Sequence, residues 1–338
     1  MKRAFITGSA GFIGFHLARA LLRDGWTVAG YDGMTDYYDV ALKQKRHALL
    51  RADPAFTATE ALLEDAAALH RAVADSRPDV IVHLAAQAGV RHSIDNPRAY
   101  VDANLTGSFN LMEAALAARP AHLLMASTSS VYGANTAMPY AEDHKADMQM
   151  SFYAATKKAN EAMAHAWAHI HGLPITMFRL FTVYGPWGRP DMALYKFTRA
   201  ILQGTPIDVY NHGQMWRDFT YIDDLVGAIQ RLMAVIPGEG AAVAGDSLSA
   251  VAPWRVVNIG NSTTVRLEDF IAAIEAATGR RAIRNHMDMQ PGDVPATWAD
   301  TSLLHRLTGA TPQTPMAEGV ARFVEWYEEH YALSEKVD

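Results

Sequence analysis

The chain has no cysteine. That excludes disulfides, thiolate metal sites and cysteine nucleophiles, and fits a reducing cytoplasm. It has no basic excess either. Its 30 Lys and Arg stand against 36 Asp and Glu, a formal net charge of −6. Nothing in that balance attracts nucleic acid or an anionic membrane, although a few local arginines would suffice for a small anion. No run reaches the ~18 apolar residues of a membrane span. Glycines interrupt the opening MKRAFITGSAGFIG before any apolar core forms, so it is not expected to be a signal peptide. There is no internal repeat and no low-complexity tract. The 14 histidines include no HExxH, and no metal site is expected. HAWAHIH (165–171) spaces three of them along one helical pattern, which reads as a polar face or interface.

Over the first 180 residues, short apolar runs alternate with amphipathic segments. Strands are expected at 3–7, 27–31, 79–84, 121–127 and 174–180, with a shorter one near Phe56. Helices are expected at 12–23, 38–50, 63–75, 97–117 and 151–171. The pattern predicts an α/β fold with a doubly wound parallel sheet covered on both faces. After residue 181 the texture becomes irregular. TVYGPWGRPDM reads as a loop, 236–253 as an exposed loop, and 316–331 as a closing amphipathic helix. The expected division is a dinucleotide-binding domain over 1–180 and a smaller C-terminal α/β substrate-binding lobe over 181–338. Segments near 219–262 are expected to pack back on the first domain.

FITGSAGFIG places Gly8, Gly11 and Gly14 directly after the first strand, at the opening of a helix. Glycines there let the backbone approach a diphosphate, and the helix start offers unpaired N–H groups. Asp32 closes the second strand, where a carboxylate can meet the adenosine ribose hydroxyls. An acid at this position favours NAD over NADP, whose extra phosphate it would repel.

Further along, ASTSSVYG sets Ser127, Thr128, Ser129 and Ser130 in a row at a strand end. YAATK follows, with Tyr153 and Lys157 one helical turn apart on one face. A free tyrosine, with a pKa of about 10, is a poor base at neutral pH. Bringing it to about 7 takes about 4 kcal/mol of differential stabilisation, within reach of two nearby cations in a water-poor site. Lys157 and a bound nicotinamide are the expected cations. A strand-end hydroxyl can then donate to the developing oxygen or relay the proton.

Together with HLAAQAGVRHSIDNP and RDFTYIDD, these motifs resemble the extended short-chain dehydrogenase/reductases that modify nucleotide sugars, along essentially the whole chain. TDYYDVALKQKR, RLFTVYGPWGRPDMAL, DSLSAVAPWRVVNIGN and MQPGDVPATWADTSLL resemble the subgroup that epimerises UDP-glucuronate at C4. The resemblance implies a Rossmann fold, NAD as cofactor and a UDP-sugar substrate. It implies Tyr153 as general base, Lys157 as its partner and Thr128 as the hydroxyl near the 4-OH. NAD would be held by Gly8, Gly11, Phe12, Ile13, Gly14, Asp32, Leu84, Ala85, Ala86 and Asn104, together with Tyr153 and Lys157. Arg217 would meet the diphosphate and Asp293 the nucleotide. A homodimer through a four-helix bundle, built from roughly 97–117 and 154–170, is also implied. One departure stands out: Leu62 occupies the place of an Asp that contacts adenine in relatives.

The hydroxyl row also bears on the reaction. Dehydratases and decarboxylases of this superfamily carry an acid two places before the Tyr of VYG. This chain has Ser130 there, and Ser129 where a dehydratase has Asp. Neutral hydroxyls are poor substitutes for the acid and base of an elimination. The expected reaction is therefore inversion at C4 without loss of CO₂. Ser129, Ser130, Thr182 and Arg189 are expected on the substrate carboxylate, since a guanidinium binds carboxylate bidentately. The two serines can equally satisfy backbone groups at the strand end, and Arg189 can equally be a surface loop residue. A neutral UDP-hexose or UDP-pentose epimerase and a UDP-glucuronate decarboxylase remain the enzyme alternatives.

Overall fold

The computed structural model describes residues 2–290 and 294–334, so Asp293 lies outside the described residues. Its strands run in chain order β1 (Arg3–Thr7), β2 (Thr27–Asp32), β3 (Phe56–Glu60), β4 (Val80–His83), β5 (His122–Thr128), β6 (Ile175–Leu180), β7 (Thr182–Tyr184), β8 (Pro206–Tyr210), β9 (Trp216–Tyr221), β10 (Trp254–Ile259), β11 (Thr264–Arg266), β12 (Ile283–Met287) and β13 (Ala296–Thr297).

Seven of them form one parallel sheet in the order β3-β2-β1-β4-β5-β6-β10. β4 and β5 are buried at every position, as strands covered on both faces must be. Ile6, Val82 and Leu124 pack on one face; Phe5, Ile81 and Leu123 pack on the other. The strand order reverses between β1 and β4, which opens a crevice beyond their carboxyl ends. The smaller unit is centred on β9, with β7 and β13 parallel to it and β11 antiparallel; β8 and β12 pair separately.

Three features differ from the pattern read off the sequence. β10 lies in the 219–262 stretch expected to pack back on the first domain, but it does so as a strand of the main sheet beside β6, where the irregular texture announces none. The single helix expected over 97–117 is broken: a π-helical stretch, Val101–Thr106, separates Pro97–Tyr100 from Gly107–Ala118. Such a bulge rotates the side chains around it, here Asn104. The 236–253 loop is not simply exposed. Asp246 within it forms a buried bidentate pair with Arg255 of β10, both bonds 2.8 Å. His165 and His169 grip the same loop, bonding Ser249 Oγ at 2.9 Å and the Val251 carbonyl at 2.6 Å.

The segment ahead of Tyr153 is anchored by Glu142, whose carboxylate accepts the Asn258 N–H at 2.7 Å. Burial pushes the Glu142 pKa up to about 7. A carboxyl raised above its unfolded value near ~4.3 penalises its charged form in the fold. The penalty is full above pH 7 and is relieved as pH falls through that window. Glu142→Gln is therefore expected to raise Tm at pH 8 and to leave it nearly unchanged at pH 4.5. Thermal scans at the two pH values check this, and a gain confined to pH 4.5 would contradict it.

Candidate active site

The first wall of the site grows from the β1 end. Gly8 has φ +74°, and a Cβ there would stand 2.8 Å from the Ala85 amide. At Gly14 a Cβ would fall 2.1 Å from the Gly8 carbonyl, so this position of helix Phe12–Arg23 admits no side chain. Gly11 caps that helix without a side-chain bond, leaving the first-turn N–H groups uncapped beside the cleft that residues 11–14 line. Asp32 is buried at the β2 end; its carboxylate accepts the Ala10 and Met34 N–H groups, each at 2.9 Å. Gly8, Gly11, Phe12, Ile13, Gly14, Asp32 and Leu84–Ala86 all line one cleft. A bare helix N-terminus, a backbone open to close approach and a carboxylate at the next strand end suit a dinucleotide. Asn104 stands behind this wall. Its side chain is spent on the Gln87 backbone and the Thr156 hydroxyl, while Ala103 lines the cleft. Leu62 lines the cleft beside Leu63 and Glu64, so Glu64 is the acid on that edge.

The hydroxyl row and the Tyr153–Lys157 pair stand at the β5 end. Ser151 caps helix Phe152–His171 by accepting the Ala154 N–H at 3.1 Å, which fixes where the helix begins. Tyr153 therefore lies in its first turn and Lys157 in the next. The Thr128 side chain lines both clefts, as does Tyr153. The Thr128 hydroxyl contacts Ser130 Oγ at 3.2 Å and accepts the Ser130 N–H. Lys157 is buried, and its ammonium donates to the Ala126 carbonyl at 3.0 Å.

The electrostatics differ from the expectation. Burial raises the Tyr153 pKa; only the Thr128 hydrogen bond and the Arg189 charge oppose that. Lys157 does not count among the opposing groups, and burial lowers its own pKa to about 8. Within the protein alone, desolvation outweighs the cations around the phenol.

A second cleft opens below. Ser129, Ser130, Thr182 and Arg217 line it, with Lys196, Arg199 and Tyr210. Arg217 also donates to the Trp216 and Pro295 carbonyls, at 2.9 and 3.2 Å. Thr128, Tyr153 and Arg189 belong to both clefts and stand where they meet. Arg189 is half-buried there. Its Nε reaches Asp191 at 3.0 Å and its Nη2 bonds the same carboxylate, to which the Tyr37 hydroxyl donates at 3.2 Å. Burial works against the Arg189 charge, yet Asp191 holds it more firmly than usual.

The family model described as NAD dependent epimerase/dehydratase matches residues 4–244. The chain belongs to this family. It is 57% identical to a probable UDP-glucuronate 4-epimerase of Rhizobium meliloti (strain 1021), over 97% of this chain and 98% of that one. The solved UDP-glucuronic acid 4-epimerase from Bacillus cereus, in complex with UDP-glucuronic acid and NAD, matches with a TM-score of 0.87 at 30% identity, over 97% and 100% of the two chains. A UDP-glucose 4-epimerase from Thermotoga maritima reaches a TM-score of 0.85 at 25% identity, over 97% and 99%. Members acting on charged and neutral sugars thus share the fold almost equally, and discrimination lies with side chains at the site.

Sequence reasoning assigned no roles to Tyr37, Lys43, Arg46 and Asp191. Tyr37 and Asp191 frame Arg189. Lys43 is buried on the first cleft wall, bonded to the Thr35 carbonyl and hydroxyl. The available signal was two long cations, Lys43 and Arg46, on the apolar stripe of one helix beside Leu42 and Leu50.

Proposed function

We propose that the chain is an NAD-dependent epimerase that inverts C4 of a UDP-hexuronic acid, interconverting UDP-glucuronate and UDP-galacturonate. The observation that carries this reading is the meeting of Thr128, Tyr153 and Arg189 at the junction of the two clefts. Bound NAD supplies a hydride acceptor that returns the hydride to the same carbon. The residues of the first cleft suit its diphosphate and ribose.

Tyr153 takes the proton of the 4-hydroxyl and returns it after the sugar has turned over. Thr128 donates to the same oxygen and holds the phenol in line. Lys157, fixed to the end of β5, orients the helix face that carries Tyr153. Arg217 suits the UDP diphosphate in the second cleft. The oxidised sugar is a β-keto acid, which loses CO₂ when its carboxyl bond lines up with the ketone π system. Ser129, Ser130, Thr182 and Arg189 hold the carboxylate away from that alignment. An acid in place of Ser130 would repel the carboxylate, which argues against the decarboxylase. A neutral sugar would give the Arg189 charge no anionic group of the substrate to meet.

Arg189→Ala is expected to raise KM for UDP-glucuronate at least tenfold, the equivalent of about 1.4 kcal/mol. KM for UDP-glucose should change less than threefold, and a pentose by-product should appear. Equal loss on both substrates would contradict the carboxylate role.

The same proposal includes a cytoplasmic site of action and a two-fold dimer. Phe109, Phe152 and Ile170 stay 40%, 41% and 69% exposed on the helices expected to pair, which supports the dimer. No helix among the described residues is long and apolar enough to cross a membrane.

A further inference from the structure

Arg46 is fully buried, at 0% exposure. Burying a guanidinium is costly unless its donors and its charge are met. Here the donors meet only neutral oxygens. Nη1 donates to the Ala10 carbonyl and the Tyr38 hydroxyl, each at 3.0 Å. Nη2 donates to the Gly188 carbonyl at 3.2 Å and to the Trp187 carbonyl. Nε is buried with no partner. Among the described residues no carboxylate pairs with it. Asp32 is the nearby acid whose field it feels, and Arg189 is a like charge.

The positions of those acceptors matter. Ala10 lies in the glycine turn, and its N–H is one of the two that Asp32 accepts. Gly188 immediately precedes Arg189. One rigid fork thus ties the turn that faces the dinucleotide to the loop that carries the guanidinium of the second cleft. The charge lacks an anionic partner beside a turn built to face a diphosphate.

We propose that Arg46 is a positioning residue that couples the two halves of the site: it holds the glycine turn and the Arg189 loop in register, so that binding of the dinucleotide and of the sugar carboxylate strengthen each other. This rests on the function proposed above. An anion at the glycine turn favours the buried Arg46 charge, and the same charge fixes Gly188 and Trp187. Coupling of this kind is reciprocal and typically amounts to 5–150-fold in affinity.

The test uses holoenzyme carrying Tyr153→Phe, so that UDP-glucuronate can be titrated without turnover. Arg46→Met removes charge and fork. Arg46→Lys keeps the charge but cannot span Ala10 and Gly188 together, and it guards against a Met variant that does not fold. Calorimetry gives Kd for UDP-glucuronate and for UDP-glucose; the absorbance of NAD released on dilution gives its dissociation rate. Both variants are expected to bind UDP-glucuronate about tenfold more weakly, within the 5–150-fold coupling range. UDP-glucose should shift less than threefold, and NAD should leave about tenfold faster. Equal weakening of both sugars, or unchanged NAD release, would overturn the proposal. If the parent holoenzyme itself shows no preference for the uronate, the substrate reading fails instead. NAD release then still decides whether Arg46 supports the glycine turn.

Discussion

Replacing Tyr153 by Phe is expected to lower kcat by roughly 10²–10⁴-fold, the usual worth of a positioned acid–base group. Tm should change little. The ring stays in its edge contact with Tyr100, centroids 6.0 Å apart, and only the hydroxyl is lost. Burial raises the Tyr153 pKa in this chain, with Thr128 and Arg189 opposing. Near neutral pH the phenolate is therefore disfavoured in the protein alone, and a further positive charge in the site would favour it. The wild-type rate should accordingly rise with pH along a limb that reports this phenol, and the residual rate of the Phe variant should lack that limb. Initial rates across pH, read by chromatography of the nucleotide sugars, test both statements. A Phe variant within tenfold of wild type would remove Tyr153 from the chemistry.

The second large effect is expected at Glu161, on the same helix. Glu161 Oε1 accepts from Ser127 Oγ at 2.7 Å and from Arg179 Nε at 2.9 Å; Oε2 accepts from Arg179 Nη2 at 2.9 Å and from Lys158 at 3.0 Å. Glu161 and Arg179 are both buried. This one carboxylate joins the end of β5, β6 and the helix that carries Tyr153 and Lys157. Glu161→Ala would strand the Arg179 charge in the core. Breaking a buried pair in this way costs roughly 3–5 kcal/mol. Urea unfolding should show that loss, and kcat should fall as the Ser127–Thr128 strand end loosens. Replacing both partners with apolar residues of similar volume should recover most of the stability. A loss below about 1 kcal/mol in Glu161→Ala would mean the pair is solvated or locally redundant.

Much of the dinucleotide half was legible because its rules are local. The apolar runs β1, β2, β4, β5 and β6 end within a residue or two of where periodicity put them. Gly8, Gly14 and Asp32 follow from chain geometry at two strand ends. Ser151 marks the start of the Tyr153 helix as clearly as any cap can. What escaped depends on contacts distant in sequence. β10 is a strand because β6 offers it an edge, and its Arg255 needs Asp246 to be buried at all. The π-helical turn at Val101–Thr106 has no periodicity of its own to announce it. The electrostatics of Tyr153 also escaped, because an i, i+4 spacing says that Lys157 shares its face but not where the ammonium goes. It goes to the Ala126 carbonyl. The partnership of Arg189 with Asp191, two residues along, is a matter of loop conformation that no spacing rule supplies.

The central claim is inversion at C4 of a uronic acid with the carboxylate kept. It is tested most directly by incubating the holoenzyme with UDP-glucuronate and following the sugar signals by NMR. The account predicts that UDP-galacturonate appears as the product and approaches equilibrium, with no pentose and no net reduction of the cofactor. Formation of UDP-xylose or a 4-keto-pentose from UDP-glucuronate, or conversion of UDP-glucose with UDP-glucuronate left unchanged, would contradict it.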